Sequence, residues 1–308
     1  MSGRRLIAIL FYLACALLTS WTLAHQFGTG AVADVWHGLT GHSAARPLAA
    51  LALTTLSFAA LASYDWLGAR VVAPGRVPAR LAFFTGATAN AVSNTLGFHV
   101  VTGSLVRARM YLRRGLTRAE AARIVSLSWL ATGLGFVTMT VLAEAAAASH
   151  PGSSRSAWGA AVAAGMLLLL LLLFWLSRAP RELALFRFRL PLPSSRLAAA
   201  QMAIGAVETA AAVGALYVLL PADLAPPFVQ FALECVAAVL LGLLAHAPGG
   251  VGVFEASITA LLGGAGRSDL LGALLLYRAI YNLLPFAVSL VALAWVEWRA
   301  ARGQFDRG

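Results

Sequence analysis

Six stretches of this sequence leave the backbone almost no choice. Leu6 to Ala24, Pro47 to Leu67, Ile124 to Ala147, Trp158 to Leu176, Leu197 to Leu220 and Leu270 to Val296 are almost wholly apolar. Each has the roughly 20 residues an α-helix needs to cross a hydrocarbon core about 30 Å thick. In lipid the backbone must satisfy its own hydrogen bonds, so helices are required. A membrane barrel would need alternating strands, and that pattern is absent. Composition agrees: 60% of the 308 residues are hydrophobic and 11% charged, with a mean hydropathy of +0.80. Soluble domains carry about a quarter charged residues. The expectation is an all-α polytopic membrane protein, one integral membrane domain over residues 1–308 without a soluble domain. The opening MSGRR and the run after it mimic a signal peptide. The run is long enough to span, and no clear small-residue cleavage site follows it. Cys15 and Cys235 both sit in apolar runs, as small core residues rather than a disulfide framework.

The net charge is +11, and every basic residue is arginine. A nucleic-acid role does not follow, because the arginines sort by loop. Nineteen lie before the first run, after the second, between Arg107 and Arg123, between Arg178 and Arg196, and at the C-terminal end. Arg46, Arg155 and Arg267 fall in the remaining loops, and Arg278 lies inside a run. The positive-inside rule places the nineteen, and both termini, in the cytoplasm of a bacterial-type inner membrane. Tryptophans near the run ends (Trp21, Trp66, Trp158, Trp175, Trp295 and Trp298) fit an interfacial belt.

That orientation constrains two further apolar stretches, broken by Gly, Pro or polar residues. Residues 81–105 lie between cytoplasmic arginines and are too short for two full spans. They are expected to form a re-entrant hairpin. Residues 228–262 must likewise enter and leave from the outer face. Two broken hairpins from opposite sides suggest an inverted repeat, as in transporters whose broken helices meet near the midplane. The stretches share a weak His-x-x-x-Gly pattern, at His99 and Gly103 and at His246 and Gly250.

Ionisable groups inside such runs cost roughly 2.5–3.5 kcal/mol on insertion scales, so each needs an explanation. Glu208, Glu234, Glu255 and Arg278 lie within the apolar stretches, and Arg107 at a hairpin end. Asn90, Ser93, Asn94, Thr95 and His99 form a polar cluster in the first hairpin, and Tyr277, Tyr281 and Asn282 surround Arg278 at helical spacing. Arg109 and Tyr111 follow Arg107 on the basic stretch RARMYLRRGLTRAEAARIV. A polar path for an anionic headgroup would use arginine forks and helix N-termini to hold phosphate oxygens, with carboxylates as counter-charges. Internal ion pairs that fix helix packing are an equally weighted alternative. The basic stretch either lies on anionic lipid or only signals topology. Within it, Thr117 and Glu120 form a capping box that starts a helix. The histidines have no third ligand at zinc-like spacing, and no metal or cofactor is expected. A Walker loop, Gly-x-Ser-x-Gly and His-Glu-x-x-His are all absent.

Four segments in order resemble one family. GFHVVTGSLVRARMYLRRGL followed by SLSWLATGLGF, QMAIGAVETAAAVGALYVLLP, APGGVGVFEA and LLLYRAIYNLLPF are similar to the lysylphosphatidylglycerol synthase transmembrane family, which includes MprF-type and shorter YbhN-type members. The resemblance covers about residues 50 to 298. It implies a flippase that carries aminoacylated phosphatidylglycerol to the outer leaflet, where it lowers the binding of cationic antimicrobial peptides. The cytoplasmic synthase domain of MprF-type members has no counterpart here, so synthase activity does not carry over. The partners implied are membrane phospholipids and a separately encoded lipid synthase. Two rival readings stay open: a membrane-embedded transferase acting on a lipid-linked substrate, and a non-catalytic partner of a lipid-synthesis enzyme.

Overall fold

A computed structural model describes residues 44–97, 99–148, 157–178, 182–185, 188–244 and 252–301. The first expected span, Leu6 to Ala24, lies outside these residues. The other five expected spans each coincide with a helix. They are α1 (Ala45–Val72), α4 (Arg118–Ala148), α5 (Ala157–Leu176), α6 (Ser195–Tyr217) and a long composite helix. The composite consists of α9 (Ser268–Tyr277), a π-helical turn (Arg278–Leu283) and α10 (Leu284–Ala301). Four of the five are long and apolar enough to cross a membrane: α1, α4, α6 and the composite over Ser268–Arg299. In α5 the described apolar part is Ala163–Trp175.

The broken stretches are pairs of helices, α2 (Ala79–Leu96) with α3 (His99–Arg113) and α7 (Phe228–Leu244) with α8 (Val253–Leu261). Gly97 ends α2 at φ +71°, a conformation that favours glycine. The chain then folds back, setting Gly103 of α3 against Ser93 and Ala89 of α2. The described elements are helical, as expected, with one short exception. β1 (Glu182–Leu185) and β2 (Phe188–Pro191) form a short antiparallel hairpin, with Leu183 opposite Leu190. It lies between spans, where the chain is not required to be helical.

Local chemistry accounts for the element ends. Thr117 caps α4: the Thr117 N–H donates to Glu120 Oε2 at 2.7 Å, and the Glu120 N–H to Thr117 Oγ1 at 3.2 Å. This is the capping box read from the sequence. The π turn precedes Pro285. A proline there would clash with the carbonyl four residues back and has no N–H to give it. The chain instead bonds one residue further, the Leu284 N–H donating to the Ala279 carbonyl.

Three close crossings hold the bundle. A Cβ on Gly135 of α4 would lie 2.8 Å from the Cα of Gly205 of α6, and one on Gly86 of α2 would lie 2.9 Å from Ala62 Cα of α1. Gly68 of α1 rests on Ile124 of α4. Small residues at crossings are how helices associate in lipid, where apolar burial gives little drive. The outer surface is correspondingly apolar, with Leu168, Val288, Val291 and Trp295 exposed. The charge lies inside: Asp65, Arg107, Glu208, Glu255 and Arg278 are all buried.

The crossings also fix direction. Asp65 meets Ser128 and Gly68 meets Ile124, so α1 and α4 are antiparallel. Ser57 meets Glu208 and Leu53 meets Gly214, so α1 and α6 are antiparallel too. One end of the bundle therefore collects arginines, tied by Arg76 to Glu120 and by Arg109 and Arg113 to Glu297. Arg267 crosses to Asp223 and Asp269 near the opposite ends of α6 and α9. Hydrogen bonds from Arg267 hold the Asp223 carboxyl below its ordinary range.

Candidate functional site

The π turn is where the two broken hairpins converge. From the first hairpin, Thr95 Oγ1 donates to the Asn282 carbonyl at 3.1 Å, and Asn282 Nδ2 donates to the Asn94 carbonyl at 3.3 Å. From the second, Glu255 receives Arg278 Nε at 2.6 Å. One six-residue segment thus touches α2 near its broken end and α8 at its first turn. Single π turns inside α-helices are frequent at functional sites.

Glu255 is held from two sides. It is the third residue of α8, and its Oε2 accepts the Gly252 N–H at 2.7 Å while Oε1 takes Arg278. Gly252 reaches that position at φ +86°. The carboxylate lies near the positive end of a short helix, where it is stabilised. Arg278 also lies over the Phe254 ring, 5.4 Å from its centroid. Phe254 stacks on Tyr277, and Tyr277 on Tyr281 at 5.1 Å. The aromatic column shields the ion pair and strengthens it by removing water.

Across Tyr277 and Tyr281 from this pair stands Glu208 of α6. Its Oε1 receives Ser57 Oγ at 3.3 Å and its Oε2 receives Thr209 Oγ1 at 3.1 Å. Ser57 is also within 2.9 Å of the Tyr281 hydroxyl. The polar core therefore joins α1, α6, α8 and the π turn.

A second charged centre lies on α1, α3 and α4. Arg107 Nη2 donates to Asp65 Oδ2 at 2.9 Å and Arg107 Nε to Asp65 Oδ1 at 3.0 Å. Tyr111 donates its hydroxyl to Oδ1 at 2.9 Å, and Ser128 donates to Oδ2 at 3.4 Å. The two-point Arg–carboxylate geometry is the strong form of such a pair.

The structure brings together Tyr277, Arg278, Tyr281, Glu255 and Glu208, with Asn94 joining through its backbone. Arg107 and Tyr111 belong to the second centre. Arg109 lies elsewhere: it bonds Glu297 of α10 at the arginine-rich end. Glu234 on α7 is partly buried and takes Gln230 Nε2 at 2.9 Å. His99 opens α3, and His246 and Gly250 lie outside the described residues. Sequence reasoning missed Asp65, although an acidic residue inside the run Pro47–Leu67 was the signal. It also missed Ser57, which nothing in the sequence distinguishes from other hydroxyls in apolar helices.

Apolar outward faces, spans of membrane length and internal ion pairs define a multi-pass helical membrane protein. Residues 5–289 match the family described as the lysylphosphatidylglycerol synthase TM region, and the chain belongs to that family. It is similar to inner membrane protein YbhN of Escherichia coli (strain K12), 26% identical over 276 residues, covering 87% of this chain and 86% of YbhN. It is also similar to the uncharacterized protein slr0712 of Synechocystis sp. (strain ATCC 27184 / PCC 6803 / Kazusa), 27% identical over 305 residues, with 96% and 93% covered.

Proposed function

We propose that this protein moves a phospholipid between the leaflets of a bacterial inner membrane, without synthesising it. The substrate class is an aminoacylated phosphatidylglycerol or a related lipid. The observation that carries this reading is the convergence of both broken hairpins on one π turn, around the buried Arg278–Glu255 pair. A headgroup with a phosphate and an ammonium matches that pair charge for charge. Phosphate engages the guanidinium as Glu255 releases it, and the ammonium takes the carboxylate, so the buried charges stay paired throughout. Acyl chains remain in lipid beside the apolar outer faces. The hairpins are re-entrant, from opposite sides, and the arginine-rich end faces the cytoplasm together with both termini. A separately encoded synthase supplies the lipid.

Purified protein in liposomes with fluorescent phospholipids tests this directly. Aminoacylated or anionic lipid should exchange between leaflets faster than in protein-free vesicles. Arg278→Ala and Glu255→Gln should each abolish the gain. Wild-type protein that moves none of these lipids overturns the reading. Variants that transport normally overturn the site.

A further inference from the structure

Three carboxylates lie deep in the described bundle, and two have a guanidinium. Asp65 has Arg107 and Glu255 has Arg278. Glu208, equally buried, is bonded by hydroxyls alone: Ser57 and Thr209, with Tyr281 behind Ser57. An unpaired carboxylate in a low-dielectric interior is far costlier than the neutral acid. The titratable groups facing Glu208 are tyrosines: Tyr64 from α1, Tyr277 from α9 and Tyr281 from the π turn. From α7, Cys235 lies beside those last two tyrosines. Among the described residues, the hydrogen bonds to the carboxyl come from hydroxyls and none from a charged side chain of α4 or α7.

The seam between α1, α4 and α6 holds a second, independent oddity. Among the described residues, the Tyr64 hydroxyl and Gln201 Oε1 are buried without a hydrogen-bond partner. Tyr64 lies over Gly205, one turn along α6 from Gln201 and nearly one from Glu208. Gln201 Nε2 reaches the Leu127 carbonyl at 3.4 Å, and the next residue, Ser128, donates to Asp65. Buried polar atoms in native proteins are almost always satisfied, by ordered water where protein does not reach. Two unsatisfied groups on one seam, between two carboxylates, mark a place that water suits. From Ser57 to Asp65 the seam runs about 12 Å toward the arginine-rich end.

We propose that Glu208 is a proton-binding site, loaded and emptied through a wetted relay past Tyr64 and Gln201. On loading, a hydronium on the relay gives its proton to a Glu208 oxygen and leaves as water. On unloading, the acid O–H bond breaks, water takes the proton, and the carboxylate keeps the Ser57 and Thr209 hydroxyls as donors. The Arg278–Glu255 pair lies across Tyr277 and Tyr281 from it and holds the headgroup in the proposed transport, so the protonation event and the transported charge share those two tyrosines. This deepens the transport reading and rests on it only for the coupling.

Infrared difference spectroscopy of the full-length protein in nanodiscs tests the site without any lipid movement. At neutral pH a buried carboxylic acid C=O band should be present, lost in Glu208→Gln and retained in Glu255→Gln. Its hydrogen–deuterium shift should slow several-fold in Tyr64→Phe and Gln201→Leu. A wild type without the band, or a band that survives in Glu208→Gln, overturns the site. Unchanged exchange in both relay variants overturns the relay. In the liposome assay, a pH gradient should change the rate of lipid movement in wild type and leave Glu208→Gln indifferent. A wild type that moves lipid regardless of the gradient refutes the coupling. One that shows the band and moves no lipid refutes the transport reading while the proton site stands.

Discussion

Asp65 shows how a single residue is fixed by what surrounds it. Each of its oxygens accepts from Arg107, Oδ1 takes Tyr111 as well, and Oδ2 takes Ser128. Three helices meet at this one carboxylate. Removing its charge leaves Arg107 buried and uncompensated, which costs about 3–5 kcal/mol. Asp65→Asn should therefore lower stability by that order, read from denaturant unfolding in detergent. An Asp65→Asn, Arg107→Met pair should recover much of the loss, because the uncompensated charge is gone. A single variant as stable as wild type would refute the assignment. Glu255 and Arg278 were legible in the sequence, since an acid opening a half-helix and an arginine inside an apolar run both cost energy. Asp65 belonged to the same class, but it lies two residues from the end of an expected span. Its neighbours Trp66 and Arg70 resemble an interface there, which hid its burial.

Elements here are set by sequence breaks, and their packing by small residues. Gly97, Gly252 and Pro285 end, begin or loosen a helix for reasons visible in the chain. The positions of Gly135 and Gly205 matter only because α4 and α6 cross there at backbone contact. Gly205→Leu should force the helices apart, costing about 1–3 kcal/mol or more. It should also disturb Tyr64, which lies over the same glycine. Thermal unfolding of the purified variant checks the first effect. Gly165, inside α5 with only open space around a Cβ, is the control: Gly165→Ala should not lower the midpoint, since alanine is the better helix former. Equal shifts in the two variants would remove the α4–α6 crossing as the cause. The hairpins 81–105 and 228–262 were foreseen as breaks. The π turn they both meet was not, although Pro285 signalled an irregularity.

Over the whole molecule, the ends of the bundle carry different chemistry. Arg76, Arg113, Glu120 and Glu297 gather at one end, and Asp223, Arg267 and Asp269 at the other. If the arginine-rich end is cytoplasmic, a cysteine at position 76 or 113 should be protected from a membrane-impermeant maleimide in intact cells. One at position 223 or 267 should react. Cys15 and Cys235 are replaced by alanine first. Labelling at both ends, or at the arginine-rich end alone, would reject the orientation.

The sequence by itself determined the solvent. Long runs with almost no charge can only be helices in lipid, because lipid offers the backbone no partner. It also determined where those helices break and which loops carry arginine. It did not determine which charge meets which. In water, a helix's apolar stripe reports the face it buries. In lipid these helices are apolar around most of their circumference, so periodicity says little about azimuth. The close crossings at Gly68, Gly86 and Gly135 with Gly205 set how α1, α2, α4 and α6 face one another. Tertiary packing then gives Arg107 to Asp65, 42 residues away, and Arg278 to Glu255, 23 residues away. It leaves Glu208 with hydroxyls for company.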